Sequence, residues 1–90
     1  MNEIVIKYII GQEPIEETIK VPAPAIFLSC AVQDNAVVAW FQGMPDAGYF
    51  ERRIALTETG QEVPDGQREY CGVMLLHEGR YVLHAWRLLD

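Results

Sequence analysis

The stretch Ile26-Phe27-Leu28-Ser29-Cys30-Ala31-Val32-Gln33-Asp34-Asn35-Ala36-Val37-Val38-Ala39-Trp40-Phe41-Gln42 decides the fold. Two apolar runs flank Asp34-Asn35, a pair that tolerates positive φ, and this pattern predicts a tight β-hairpin. The turn sets Val32 opposite Val37, Cys30 opposite Ala39 and Leu28 opposite Phe41. That face is wholly apolar and has to be core. The other face carries Phe27, Ala31, Val38 and Trp40 among Ser29, Gln33 and Gln42. It is too apolar to meet only solvent.

Toward the N-terminus, residues 15–21 alternate. Ile15, Ile19 and Val21 fall on one side, and Glu16, Thr18 and Lys20 on the other, as in a half-buried strand. Ile15 and Ile19 also fit one short helix over 14–20, but the β-branched content favours strand. Val21-Pro22-Ala23-Pro24 reads as an extended connector, because proline disfavours helix in the residue before it. Residues 3–10 (EIVIKYII) form the first strand.

Toward the C-terminus, residues 49–57 form a strand with Phe50, Ile54 and Leu56 on one side. Residues 58–69 are the longest loop, with a type I turn at Val63-Pro64-Asp65-Gly66. A last hairpin joins 70–78 to 81–89 around Gly79-Arg80. Six or seven strands, with turns about every 8–12 residues, predict one small all-β domain over 1–90, an antiparallel sandwich or barrel.

Composition narrows the function. The 90 residues are 50% hydrophobic and 22% charged, which excludes a disordered tail or a coiled coil. Thirteen acidic against seven basic residues give a net charge of −6. Lys7, Lys20 and five arginines scattered along the chain do not make the clustered basic surface that nucleic acid requires, so no direct nucleic-acid contact is expected. Cys30 and Cys71 lie in apolar runs and are expected as buried free thiols, with one disulfide left open. No signal peptide and no apolar run of roughly 20 residues is present, so a cytoplasmic protein without membrane contact is expected.

Chemistry-bearing motifs are sparse. With Gly79-Arg80 as the turn, His77 pairs with Val82 and His84 with Leu75, which sets the two histidines diagonally on one face. No third ligand is local, so no metal is expected. Ser29 is the only serine and lacks a nucleophile-elbow context. No phosphate loop or dinucleotide fingerprint exists. A non-catalytic protein without cofactor is expected. Adjacent strand residues point to opposite faces. Arg53 therefore lies with Glu51 toward solvent, whereas Arg52 lies with Phe50, Ile54 and Leu56. There it either snorkels outward from a strand end or holds an anion. Trp86 shares a face with Val73, Leu75 and Leu88 and is expected in the core. Several strands are apolar on both faces, which favours a homo-oligomer, with a symmetric dimer first.

Lys7-Tyr8-x-Ile10, Val21-Pro22, Ile26-x-Leu28-Ser29-Cys30 leading to Val38-x-Trp40, Thr59-Gly60 with Pro64-Asp65, Glu69-Tyr70-x-Gly72 and His84-x-Trp86 together resemble a family. It is a family of small uncharacterised proteins encoded mainly by tailed bacteriophages and prophages. The resemblance spans nearly the whole chain and implies origin more than activity. It implies a binding protein that blocks a host defence or regulatory protein, and the second apolar face and the acidic loop offer Trp40, Phe27, Val38, Glu58, Glu62 and Asp65 for that contact. The alternative is a binder of small molecules, such as a signalling nucleotide, that uses Arg52, Trp86 and His84. A structural or assembly component is the third expectation.

Overall fold

A computed structural model describes residues 2–89. Seven strands follow in chain order: β1 (Ile4–Gly11), β2 (Ile15–Pro22), β3 (Ile26–Gln33), β4 (Ala36–Gly43), β5 (Tyr49–Glu58), β6 (Arg68–Leu76) and β7 (Tyr81–Leu88). They form two antiparallel sheets, one ordered β1-β4-β3 and the other β2-β5-β7-β6. The sheets stack as a sandwich, as the strand spacing predicts. The helix alternative over 14–20 is overturned. Those residues extend as β2 along β5, with Ile19 and Val21 turned inward.

The core forms where inward residues of both sheets interdigitate. Val37, Ala39 and Phe41 of β4 are fully buried, as are Ile54 of β5 and Leu83 and Ala85 of β7. Phe41 meets Tyr8 and Phe27 edge-on, at ring separations of 5.9 and 5.4 Å.

The β3–β4 hairpin turns at Asp34 and Asn35, with φ of 51° and 59°, and pairs Val32 with Val37 and Cys30 with Ala39 as its sequence predicts. Beyond Cys30 the expected register fails. A bulge between Phe27 and Ser29 leaves Leu28 as the extra residue, so Phe27 rather than Leu28 faces Phe41. Phe27 is thereby moved from the outer face to the core.

The β6–β7 connection also differs from expectation. It is a four-residue turn over 77–80 between the paired Leu76 and Tyr81, not a two-residue turn at Gly79-Arg80. His77, Glu78 and Gly79 all have positive φ. His84 then pairs with Val73, and His77 leaves the strand, so the histidines are not diagonal neighbours.

One end of the sandwich gathers these turns and is closed by Asn35. Its Oδ1 accepts the His77 backbone N–H at 2.7 Å, and its Nδ2 donates to His77 Nδ1 at 3.0 Å. Its carbonyl accepts Gln12 Nε2 at 2.9 Å. One side chain and one carbonyl thus tie three turns together.

The opposite end is built around close backbone approach. A Cβ on Gly43 would overlap the Pro22 carbonyl. The Met44 N–H donates to the Ala23 carbonyl at 2.8 Å, and the Ala23 N–H donates to the Gly48 carbonyl at 2.7 Å. These bonds fix the segment 23–25, including the cis Ala23–Pro24 peptide, at the mouth of the sandwich.

Candidate functional site

At that mouth lies a cleft of about 710 Å³, lined among others by Thr18, Phe27, Arg52, Arg53, Arg87 and Leu88. Strand register explains the arginines. Arg53 and Arg68 flank Leu88 across the outer face of the four-stranded sheet. Arg87, paired with Ile54 and Glu69, continues the inward row of Leu83 and Ala85. Arg52 is two residues from Ile54 on the same face. The arginines that look scattered in sequence therefore converge, four of the five at one end of one sheet. The whole chain carries −6, so the rest of it carries −10 without these four. Glu51 also lines the cleft, and Glu16 and Glu69 pair with Arg53 and Arg87, so three carboxylates offset part of this positive charge.

Each guanidinium is braced. Arg87 lies 5.0 Å from the Phe27 ring centroid and meets the Glu69 carboxylate at 3.3 Å. Its Nε–H is buried with no hydrogen-bond partner among the described residues. Arg52 donates to the Glu51 carbonyl at 3.0 Å and lies 5.1 Å from the Phe50 ring centroid. Arg53 meets Glu16 of β2 at 3.5 Å, rather than Glu51 as its strand position suggests. These half-exposed ion pairs contribute little stability, of order 0–1 kcal/mol each. The Arg52 and Arg87 side chains line the cleft beside these pairs.

His84 and Trp86 come together elsewhere, on the outer face of the four-stranded sheet. His84 Nε2 is 2.7 Å from Thr59 Oγ1, and its Nδ1 is 2.8 Å from the Tyr70 hydroxyl. Trp86 Nε1 donates to Thr57 Oγ1 at 3.0 Å, and its ring meets Tyr70 edge-on at 4.9 Å. Trp86 shares this face with Val73, Leu75 and Leu88 as expected, but the face is outside the sandwich and not its core. The cause is topological. β5 and β6 run parallel on either side of β7, so residues 59–67 return along β7 outside the filled core. His84 fastens the start of that crossover through Thr59, and the Leu89 N–H bonds the Gln67 carbonyl at its end.

The remaining sequence-predicted residues separate. Trp40 and Val38 lie on the outer face of the three-stranded sheet, with Val38 buried beneath its neighbours. Phe27 faces inward and lines the cleft. Glu58 ends β5. Glu62 and Asp65 stand exposed on the crossover. Trp40 and the acidic residues belong to different layers and do not form one surface. Among the described residues, no three His, Cys, Asp or Glu side chains gather as a metal-binding group.

Arg87 is the site residue that sequence reasoning misses. The rule that singles out Arg52, a charge among inward residues, applies to it equally. It is hidden because the Val82, His84, Trp86 and Leu88 face reads as the more apolar side of β7. Assigning that face to the core sends Arg87 outward.

Residues 1–89 match a family described as a domain of unknown function, DUF7352. The chain belongs to the DUF7352 family. No curated protein and no solved structure matches it. The function of this DUF7352 domain therefore has to be argued from its own geometry.

Proposed function

We propose that this DUF7352 protein binds a small phosphate-bearing anion in the arginine cleft, without catalysis. The observation that carries the reading is the convergence of Arg52, Arg53 and Arg87 on one cleft in a chain of charge −6. Guanidinium groups present paired N–H donors that match phosphate oxygens, and they remain charged at every physiological pH. Phe27 and Leu88 give the same cleft an apolar wall, which suits a phosphate ester carrying an apolar or aromatic moiety, such as a nucleotide. Isothermal titration calorimetry with inorganic phosphate, pyrophosphate and a panel of nucleotides tests it at low ionic strength. Binding is expected to weaken as salt rises and to weaken in Arg52→Ala. Absence of heat with every compound, or affinity unchanged by Arg52→Ala, rejects the reading.

A second reading rests on a different observation. The outer face of the three-stranded sheet carries Val5 and Ile9, 60% and 69% exposed, with Ile26 and Trp40 beside them. Such a face suits a protein partner, either a second copy of the chain or the host protein that a phage-derived inhibitor would block. Analytical ultracentrifugation of the wild type and Ile9→Lys separates these occupants. A dimer dissociated by the substitution supports self-association, and a monomer throughout rejects it.

A further inference from the structure

The chain has two cysteines, 41 positions apart, and the fold brings them together. Cys30 lies on β3 and Cys71 on β6, the edge strands of different sheets, and these strands approach within 8 Å, Cα to Cα. Each cysteine sits at a bulge. The β3 bulge ends at Ser29, immediately before Cys30, and Cys71 is itself the extra residue between Tyr70 and Gly72. Both side chains are half-buried against the same core, where each thiol is the other's main electrostatic neighbour, and the Cys71 thiol donates to the Glu69 carbonyl at 3.5 Å.

We infer that Cys30 and Cys71 form a reversible disulfide between the two sheets when the protein meets a low-molecular-weight disulfide. The inference is independent of the anion reading. Cys71 is the attacking sulfur. The neighbouring Cys30 thiol draws the Cys71 thiol below its ordinary value, helped by the Arg87 backbone and charge, while burial and Glu69 oppose this. Cys30 is raised by the neighbouring Cys71 and by burial, which suits a resolving thiol that keeps its proton until needed. The Cys71 thiolate attacks one sulfur of the small disulfide and expels one thiolate. The Cys30 thiol then loses its proton, attacks the Cys71 sulfur of the mixed disulfide and expels the second. Two protein thiols are oxidised, one small disulfide is reduced to two thiols, and the two protons pass to the released thiolates.

The test treats the folded full-length protein with glutathione disulfide, blocks free thiols and maps the peptides by mass spectrometry. A single crosslink joining the Cys30 and Cys71 peptides, reversed by dithiothreitol, is expected. In Cys30→Ser the reaction should stop at glutathione on Cys71, and Cys71→Ser should react much more slowly. Two free thiols after treatment, stable glutathione on both cysteines, or crosslinks only between chains would overturn the inference. So would a crosslink that forms only in urea.

Discussion

The two ends of the sandwich are held in different ways. At the turn end, Asn35 ties three turns with three hydrogen bonds and leaves the sheets closed over the core. At the arginine end, the strands part around a cleft, and the charged side chains are braced by rings and half-exposed carboxylates. The difference teaches where stability and binding separate. Neutral hydrogen bonds that fix turns act on the fold. On the proposed reading, guanidinium groups held at a cleft mouth by weak pairs act on a ligand.

Substitutions can break that separation, and the largest effect is expected at the arginine end. Charge-assisted hydrogen bonds contribute about 1.5–3 kcal/mol each. The double variant Arg52→Ala with Arg87→Met should therefore lose affinity for the proposed phosphate ligand by about 100-fold or more in calorimetry. Methionine keeps apolar bulk against Phe27, so thermal unfolding should move little.

Asn35→Ala should do the reverse. It removes two side-chain hydrogen bonds and places alanine at φ 59°. The expected loss is about 2–3 kcal/mol of stability, from about 1 kcal/mol per hydrogen bond and the strain of a left-handed alanine. In a domain this small that is a fall of roughly 10 °C or more in Tm. Asn35→Gly relieves the strain but not the lost bonds, and should recover part of the fall. Anion affinity should hold in both.

Gly43→Ala sharpens the comparison by linking the two properties. Its Cβ would push Pro22 and the segment 23–25 that walls the cleft. A stability loss of about 1–3 kcal/mol is expected in chemical denaturation, together with weaker anion binding. The smallest effect belongs to the crossover. Glu62→Gln and Asp65→Asn change exposed carboxylates, and each should shift stability by less than about 0.5 kcal/mol.

At the turn end the β3–β4 hairpin was legible in sequence, whereas the β6–β7 turn beside it and the arginine end were not. Asp34-Asn35 between apolar runs specifies its hairpin locally, and the register follows from the turn for as long as pairing stays regular. Bulges break that inference, because an extra residue such as Leu28 leaves no mark in hydrophobic alternation. The β7 faces were misassigned for a non-local reason. Trp86 looks like core until Thr57 of β5 and Tyr70 of β6 are seen to supply its partners outside the sandwich. Arg52 could be singled out because a charge interrupts an inward row. Its meeting with Arg87, 35 positions further along the chain, depends on the pairing of β5 with β7.

The most direct test of the anion site is a titration of isotope-labelled protein with pyrophosphate, followed by backbone amide shifts. Changes concentrated at Ala25, Phe27, Arg52, Arg53, Arg87 and Leu88, with residues 34–36 and 77–81 unmoved, are the predicted result. No saturable change, or changes centred on the Asn35–His77 end, would contradict it.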